Sequence, residues 1–416
     1  MKNKVRIETS WALLAKFITT LGGLFFIIFI PKLVGIEIYG QFSLIQAYIA
    51  IGLIFFGNSL SASIKKEVSE NKYQLKSFQF YSEAVKLKLY TFIIATVLFF
   101  VIKIFFQNIL LDKYSLYFLG IIAFTTFYRI NNVFFESVHK LRYTFTIYVI
   151  EYSVKIGCIL YFYFQNNLTL EKILLAFIVG YCFAFLYGYI TLHRILGRIP
   201  ELNFFSLSPS ISKLILKRGF YLSLTHVSLI ILSKIDTLMI SYFLTIKDVG
   251  IYNIADNLIK NATIISAPFI LGIAPLFAQK NIKTLFFHNI KKLILINLIL
   301  FAICFVGAQW GINFIYGTEA KYQVVITLLK IFSLFPLISS IQLFLQQIFI
   351  LKDKIRYIFF SGSLVVVINI ILNYFLIQEW GLYGAAISTI IAYVFWVTIN
   401  YIYILKSGMI NNKSII

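Results

Sequence analysis

Seven lysine and arginine residues lie inside long apolar segments of the chain, where a charged side chain is least expected. They are Lys16, Lys103, Arg129, Lys155, Lys234, Lys260 and Lys330. A basic side chain near the centre of a bilayer costs about 2.5–3.5 kcal/mol on insertion scales, so such residues normally face a wet or paired interior. Their number and placement predict a site that holds an anionic group partway across a membrane.

Two of these lysines follow an acidic residue by four positions. Glu151 precedes Lys155, and Asp256 precedes Lys260. On a helix this spacing puts both side chains on one face, where they can form an ion pair. The sequence leaves two interpretations of each pair open: the charges neutralise each other within one helix, or they contact cargo and ions.

Asp236 differs from this pattern because its nearest cation, Lys234, is two residues away and points to a different helix face. A carboxylate at membrane depth without a local counter-charge can bind and release a proton or another cation. We therefore expect ion coupling at Asp236, with Asp256 and Glu151 as further candidates. The alternative is that Asp236 only forms hydrogen bonds that fix its helix in the bundle.

The composition identifies the elements that must position these charges. The chain has 416 residues, of which 60% are hydrophobic and 13% are charged, and its mean hydropathy is +0.88. A soluble domain is about half apolar and a quarter charged. Because the charge deficit falls in long uninterrupted runs, we expect an all-α polytopic membrane protein. The formal net charge of +21 then reports membrane topology rather than a nucleic-acid partner.

The residue types that support metal or nucleotide chemistry are scarce. The three cysteines lie within apolar runs and lack disulfide or metal-site spacing, and the four histidines are scattered along the chain. No nucleotide-binding motif occurs. We therefore expect no cofactor and no metal, and a transporter that is not itself driven by ATP.

Twelve segments have the roughly 20 apolar residues that a helix needs to cross a bilayer. The predicted helices of the first half are Ser10–Ile30, Phe42–Ile64, Leu87–Gln107, Ser115–Val138, Tyr143–Phe164 and Lys172–Leu192. Those of the second half are Gly219–Leu244, Ile251–Ala278, Leu293–Phe314, Tyr322–Ile350, Tyr357–Ile377 and Leu382–Leu405.

The loops between these helices alternate in charge. One set holds most of the Lys and Arg residues, including the runs within 65–88 and 193–218, whereas the other set has few. Those few are Lys32, Lys113, Lys172, Lys247 and Lys321. Because basic loops stay in the cytoplasm, both termini are predicted to be cytoplasmic. The expected location is the cell (inner) membrane.

A shift of about 210 residues superposes the six predicted helices of the first half on those of the second. EIYGQFSL at 37–44 then faces KDVGIYNI at 247–254, which pairs Gly40 with Gly250. Six helices per half give a parallel repeat about an axis along the membrane normal, with a cavity between two bundles. We predict an N-terminal bundle over 1–200, a cytoplasmic linker over 201–218 and a C-terminal bundle over 219–416.

Short motifs occur in the order and spacing of one transporter family. LVGIEIYGQFSLIQA (33–47) resembles the first outer loop of the polysaccharide-biosynthesis flippases, the O-antigen and capsule (Wzx-like) family. KIDTLMISYFLTIKDVGIYNIAD (234–256) is similar to the central signature of that family, and FIYGTEAKY (314–322) and WGLYGAA (380–386) resemble later turns. The resemblance covers the whole chain and implies membership of the multidrug/oligosaccharidyl-lipid/polysaccharide exporter superfamily.

This resemblance implies a flippase that carries undecaprenyl-diphosphate-linked oligosaccharide to the periplasmic face by alternating access. A diphosphate is costly to move through a low-dielectric region without compensating charge. The candidate diphosphate ligands are Arg129, Lys155, Lys234, Lys260, Lys16 and Lys330. Arg129 is the strongest of them, because arginine can bind phosphate with two donors and no acid follows it at helical spacing before Glu136. Lys103 is near the outer end of its helix and is expected to snorkel.

Two other functions remain open. A drug or organic-cation antiporter of the same superfamily would need a mainly acidic lumen. The predicted membrane helices instead contain seven basic residues and only four acidic ones. These acids are Glu136, Glu151, Asp236 and Asp256. A membrane glycan polymerase or ligase would need an extracytoplasmic platform, but the predicted outer loops are short. The expected partners are the lipid-linked oligosaccharide, membrane lipids, a coupling proton or sodium ion, and polysaccharide-assembly machinery.

Overall fold

The computed structural model of the chain describes residues 2–55, 68–69, 75–105, 109–196, 208–266, 269–270, 282–352 and 354–409. Within these ranges the backbone is helical apart from short turns, which confirms the all-α prediction. Helices suit long apolar segments in a membrane because a helix satisfies its backbone N–H and C=O groups internally.

The helices are numbered in chain order. The first six are α1 (Lys2–Val34), α2 (Ile36–Phe55), α3 (Leu75–Phe105), α4 (Ile109–Ser137), α5 (Leu141–Phe164) and α6 (Leu170–Leu196). The next are α7 (Pro209–Phe243) and α8 (Ile246–Ala262), followed by a short 3-10 turn (Thr263–Ser266). The last are α9 (Ile282–Tyr316), α10 (Ala320–Phe332), α11 (Phe335–Leu351) and α12 (Ile355–Lys406).

Nine helices in the described ranges are long and apolar enough to cross a membrane, or ten if α10 and α11, which meet at 42°, form one span. The predicted eleventh and twelfth helices both lie in α12, which is broken at Gly381 (φ 56°, ψ −132°). That backbone conformation is accessible to glycine and strained for other residues. The predicted eighth helix reaches beyond the end of α8 into residues outside the described ranges. Twelve spans therefore stay a prediction.

Several predicted boundaries are wrong on the side where the loops are basic. α3 begins at Leu75 and α7 at Pro209, well before the predicted Leu87 and Gly219. Similarly, α9 begins at Ile282 rather than Leu293. The physical reason is that a helix continues past the apolar run with polar residues on its solvated turns. Parts of the expected loops are consequently helical.

The first of two compact units comprises residues 1–34 and 45–227. In it α6 packs against α4 and α5, and α1 packs against α5. The buried core between these helices is strongly aromatic and includes Phe80, Tyr128, Phe134 and Phe135. This core includes Tyr128 and Ile130, the neighbours of Arg129 on α4.

The second unit comprises residues 35–44 and 228–416. Phe286, Phe344 and Phe349 form the centre of its core between α9, α11 and α12. A smaller cluster surrounds Trp396, whose indole N–H donates a hydrogen bond to Ser361 Oγ at 3.2 Å. The predicted domain limits of 1–200, 201–218 and 219–416 stay predictions.

Within the second unit, the first turns of α2 and α8 cross at two glycines. A Cβ atom on Gly40 would overlap the carbonyl oxygen of Ile246, and a Cβ atom on Gly250 would overlap that of Ile36. The two contacts are reciprocal. Ile36 and Ile246 are separated by 210 residues, and so are Gly40 and Gly250.

Candidate functional site

A buried ion pair lies near the middle of α5 in the first unit. Lys155 Nζ donates to Glu151 Oε1 at 2.5 Å, and the two residues are only 1% and 3% exposed. The other carboxylate oxygen, Glu151 Oε2, is buried and has no hydrogen-bond partner among the described residues. Removing one partner from such a dry pair leaves a charge uncompensated, which is strongly unfavourable.

Aromatic rings enclose the ammonium group of Lys155. Its Nζ lies 3.5 Å from the ring centroid of Tyr181, 4.6 Å from that of Phe177 and 5.4 Å from that of Tyr152. Ring faces attract a cation electrostatically, most strongly where water is excluded. Lys155 is thus fixed by one carboxylate and three rings from α5 and α6.

Arg129 of α4 is the accessible cation of this region. Its side chain is exposed, although Tyr128 and Ile130 on either side are buried. It lies within electrostatic range of Glu151 and Tyr148, but no carboxylate in the described ranges is in ion-pair contact with it. Because contact with lipid would be costly, an exposed guanidinium at this depth is suited to a wet interior that an anion can enter.

Lys88 is a buried cation that the sequence analysis missed, because it was counted with the cytoplasmic segment 65–88. In the structure it is fully buried within α3, where its Nζ donates to the carbonyl oxygen of Thr126 at 3.3 Å. It also lies within electrostatic range of Arg129. The sequence does contain a signal that Lys88 is buried, because it lies between two leucines at the start of an apolar run.

Lys16 of α1 is exposed and lines a cavity of about 450 Å³ together with Glu136 and Tyr148. Tyr148 is in turn within electrostatic range of Arg129. The cavity therefore adjoins the region of α4 and α5 that carries the buried charges. The three cations Lys88, Arg129 and Lys155 outnumber the one carboxylate, Glu151, that lies among them, and we call these four residues the cationic cluster.

Asp236 of α7 is a buried carboxylate of the second unit, with 2% exposure. Its Oδ2 accepts hydrogen bonds from Tyr252 Oη at 2.9 Å and Thr389 Oγ1 at 2.6 Å. Its Oδ1 accepts from Asn373 Nδ2 at 2.6 Å. All three partners are neutral. Lys234, two residues away on α7, is not one of its hydrogen-bond partners.

A second layer of amides and hydroxyls surrounds Asp236. Asn373 Nδ2 also donates to Asn369 Oδ1 at 3.2 Å, and Asn373 Oδ1 accepts a short hydrogen bond from Ser388 Oγ. Asn369 Nδ2 is buried without a partner among the described residues. We call Asp236 with Tyr252, Asn369, Asn373, Ser388 and Thr389 the aspartate network. Its oxygen atoms are of the type that hard cations prefer.

Asp256, a second buried carboxylate of this unit, is paired with Lys260. Lys260 Nζ donates to Asp256 Oδ2 at 2.7 Å and to the carbonyl oxygen of Ser233 at 3.3 Å. The Lys260 side chain is 27% exposed, so this pair is less enclosed than the Glu151–Lys155 pair. Lys234 lies within electrostatic range of both residues.

Two cations lie away from these groups. Lys330 is half-buried on α10, with its Nζ 5.8 Å from the ring centroid of Phe305. Lys103, which was expected to snorkel, is 3.3 Å from Asp112 at the start of α4, and both side chains are partly exposed. The predicted phosphate ligands are thus divided between the units, with Lys16, Arg129 and Lys155 in the first and Lys234, Lys260 and Lys330 in the second.

The described side chains contain no cluster of three or more His, Cys, Asp or Glu residues that could hold a metal ion. What they do contain is a cationic cluster suited to an anion and an aspartate network suited to a proton or a monovalent cation.

Sequence comparison assigns most of the chain to one family. The sequence profile described as polysaccharide biosynthesis protein matches residues 6–281. No curated protein matches the chain at the level of sequence.

Solved structures share its fold. An inward-facing multidrug resistance MATE family transporter of the MOP superfamily has a TM-score of 0.74 and 14% identity, with 96% of both chains covered. The lipid II flippase MurJ in an inward closed conformation has a TM-score of 0.73 and 16% identity, over 95% of this chain and 87% of MurJ. A MOP superfamily transporter from Pyrococcus furiosus, described as having a binding pocket of reverse polarity, has a TM-score of 0.61 and 16% identity, over 98% and 96%.

Proposed function

This chain belongs to the polysaccharide biosynthesis protein family, and from that premise we propose that it is a flippase for polyprenyl-diphosphate-linked oligosaccharide. The cargo would be an undecaprenyl-diphosphate-linked repeat unit of O-antigen or capsule, moved from the cytoplasmic to the periplasmic face of the cell inner membrane. The single observation that carries the proposal is the accessible guanidinium of Arg129 in the cationic cluster, which has no ion-pair partner among the described residues.

The charge of the first unit supports an anionic cargo. A diphosphate brings at least two negative charges, and moving them unpaired through a low-dielectric region is very unfavourable. Arg129 offers two parallel N–H donors to a phosphate, which lysine cannot do. Lys88 and Lys155 already donate hydrogen bonds to Thr126 and Glu151. They would therefore raise the positive potential around the phosphate rather than bind it directly. Lys16 is accessible in the adjoining cavity.

The cations of the second unit are further candidate ligands of the diphosphate. Lys260 keeps 27% of its side chain accessible despite its bond to Asp256, and Lys234 lies within electrostatic range of it. Lys330 is half-buried on α10. Basic groups at this membrane depth are suited to contact with an anion.

We assign energy coupling to Asp236. Three neutral donors hold its carboxylate, so a proton or sodium ion could bind without displacing a lysine. Binding of a cation that differs in affinity between two conformations is what links a gradient to transport. Asp256 and Glu151 are further candidates, but each is bound to a lysine on its own helix.

The proposed architecture is two six-helix bundles related by a parallel repeat, with both termini in the cytoplasm. The reciprocal crossing at Gly40 and Gly250, at the same 210-residue offset as Ile36 and Ile246, supports the repeat. The orientation rests on the basic loops. In a cysteine-free background, cysteines at Asn71 and Ser210 should be labelled only from the cytoplasm, and those at Gln165 and Thr318 only from outside. Reversed labelling at two of the four sites would contradict this topology.

The second candidate is an ion-coupled antiporter of drugs or organic cations. The buried carboxylate of Asp236, with only neutral hydrogen-bond donors, favours it, because such a group attracts cations. The excess of positive charge around Arg129 opposes it. A glycan polymerase or ligase has no supporting feature in the described residues.

Reconstitution in proteoliposomes distinguishes the two transport functions. One population receives fluorescent polyprenyl-diphosphate oligosaccharide, and another receives an organic cation such as ethidium. We expect transbilayer movement of the lipid-linked saccharide and none of ethidium above protein-free vesicles. Movement of ethidium alone would overturn the flippase proposal in favour of the antiporter.

A further inference from the structure

A break separates α10 from α11 inside what is one candidate membrane span. α10 ends at Phe332, α11 begins at Phe335, and the two axes meet at 42°. Pro336 accounts for the break, because it has no N–H to donate to the carbonyl oxygen of Phe332 and its ring crowds that carbonyl. Non-helical backbone at membrane depth persists only where protein or a water-filled cavity surrounds it. The side chains around this break therefore determine its geometry.

The break is connected to one of the candidate phosphate ligands. Ser333, the first residue after α10, is fully buried, and its Oγ donates a hydrogen bond to the carbonyl oxygen of Lys330 at 2.6 Å. Lys330 lies in the last turn of α10. A change in the angle between α10 and α11 would consequently move the ammonium group of Lys330 relative to α11.

Two buried phenylalanines border the break, and each packs edge-on against a tyrosine. Phe332 is fully buried, and its ring centroid lies 5.6 Å from that of Tyr252 on α8. Phe335 is 4% exposed, and its ring centroid lies 4.8 Å from that of Tyr393 on α12. Edge-to-face pairs of this kind have a preferred geometry. A movement of either tyrosine ring is therefore passed on to one end of the break.

Tyr252 differs from Tyr393 because its hydroxyl belongs to the aspartate network. Tyr252 is 1% exposed, and its Oη donates a hydrogen bond to Asp236 Oδ2 at 2.9 Å. Tyr393 is within electrostatic range of Asp236 but is not among the described donors to it. One rigid side chain thus contacts the carboxylate with its hydroxyl and the end of α10 with its ring.

A cation at Asp236 would disturb the Tyr252 contact in particular. A hydroxyl that donates to a carboxylate oxygen points its hydrogen toward the place where a cation would bind. The Thr389 hydroxyl, which donates to the same oxygen, can rotate this hydrogen away without moving its side chain. The phenolic hydrogen prefers the plane of its ring, so Tyr252 adjusts by moving the ring itself. That ring packs on Phe332.

We propose that the break between α10 and α11 is a hinge that responds to cation binding at Asp236, and that Tyr252 is the positioning residue that connects the two. The inference rests on the proposed function, since it takes Asp236 to be the site of the coupling cation. Binding of the cation shifts the Tyr252 ring from its place against Phe332, which loosens the end of α10 and moves Lys330.

Amide hydrogen exchange of the purified full-length chain tests the hinge. Exchange at Ser333–Ile338 is measured by mass spectrometry in sodium, in N-methylglucamine at equal concentration, and at low and high pH with correction for the chemical exchange rate. The cation that the site binds should accelerate exchange there roughly fivefold in the parent, as the loss of one hydrogen bond would give. Cation binding itself is followed in parallel as a shift of the unfolding midpoint.

Two substitutions should remove the response of the break. Tyr252→Phe keeps the ring and removes the hydroxyl, whereas Phe332→Leu keeps an apolar side chain and removes the ring edge. In both variants the cation should change exchange at the break by less than about twofold. Phe332 lies outside the aspartate network, so the unfolding midpoint of Phe332→Leu should respond to the cation as that of the parent does.

Tyr393→Phe is the matched control, because it removes a hydroxyl from the tyrosine on the other side of the break. Both of its responses should equal those of the parent. A parent whose unfolding midpoint responds to the cation while exchange at the break does not would overturn the hinge and leave the coupling site standing. A response at the break that survives Tyr252→Phe and Phe332→Leu would also overturn it. If the midpoint of Asp236→Asn responds as the parent's does, or neither responds, the coupling site itself is overturned, and the hinge with it.

Discussion

Both units bury a carboxylate on a membrane helix, but the two carboxylates have different partners. Glu151 in the first unit is bound to the ammonium of Lys155, which three aromatic rings enclose. Asp236 in the second unit is bound by two hydroxyls and one amide. Removal of the Glu151 carboxylate would therefore leave a buried cation without its counter-charge.

The neutral partners of Asp236 allow its charge to change. A hydroxyl can donate to a carboxylate and, after rotation, accept from a protonated carboxyl or an amide. A bound proton or sodium ion would then leave the network satisfied. This difference agrees with the proposed division of roles, in which the cationic cluster binds a permanent anion, such as a phosphate, and the aspartate network binds an exchangeable cation.

Removing each carboxylate in turn should give the largest contrast. Glu151→Gln leaves Lys155 buried without its counter-charge and should lower the free energy of unfolding by about 3–5 kcal/mol. Asp236→Asn keeps shape and hydrogen bonding and should lower it by no more than about 1 kcal/mol. The measurement is the unfolding midpoint of each purified variant in the same detergent.

A double substitution provides the control for the ion pair. Glu151→Leu combined with Lys155→Met removes both charges and should recover most of the stability that Glu151→Gln loses, since a buried pair can often be replaced by apolar residues. Equal losses for Glu151→Gln and Asp236→Asn would contradict the distinction between the two carboxylates.

Substitution of Arg129 should have the next largest effect, on binding rather than on folding. Arg129→Ala removes a charge-assisted contact and should weaken binding of a polyprenyl diphosphate roughly ten- to hundredfold, with unchanged protein level. Arg129→Lys should recover binding only in part, because an ammonium lacks the two-donor fork. Affinity is measured by titration of the purified protein.

Lys103→Ala is the matched control for the loss of one positive charge. Lys103 is paired with Asp112 and partly exposed, so its removal should leave binding unchanged. Parental binding by Arg129→Ala would remove Arg129 from the site. Loss of the folded protein would instead indicate a structural role.

A smaller loss of stability than that of Glu151→Gln is expected at the half-open pair of the second unit, Asp256 and Lys260. Asp256→Asn leaves Lys260 with partial access to water and with the carbonyl oxygen of Ser233. Its cost should therefore stay below about 2 kcal/mol and below that of Glu151→Gln in the same unfolding assay. A loss as large as that of Glu151→Gln would show that the enclosure of the pair does not determine its stability.

Local spacing made some of these features predictable. The i,i+4 positions of Glu151 and Lys155 placed the two side chains on one helix face, and pairing was one of the two interpretations that this spacing left open. The two-residue spacing of Lys234 and Asp236 predicted that these two would not pair, because they point to different helix faces. Long apolar runs predicted the helices. Their ends were less predictable, because polar turns extend a helix beyond its apolar segment, and this is how Lys88 was missed.

Long-range packing made other features unpredictable from the sequence. Asn373 and Thr389 are 137 and 153 residues from Asp236, and no local pattern links them to it. Tyr181 reaches Lys155 from the next helix in the chain and resembles many other tyrosines in the sequence. The cavity that Lys16 lines is likewise formed by α1, α4 and α5, which meet only in the folded chain.

Transport by Asp236→Asn in proteoliposomes tests the central claim, that anion binding and ion coupling belong to separate sites. Flipping of a polyprenyl-diphosphate oligosaccharide is followed with and without an imposed proton or sodium gradient, and binding of the same cargo is titrated in parallel. We expect the parent to respond to one of the gradients, and Asp236→Asn to bind cargo within about twofold of the parent without any response to that gradient. If Asp236→Asn stays as gradient-sensitive as the parent, or loses cargo binding as Arg129→Ala does, the separation of the two sites is contradicted.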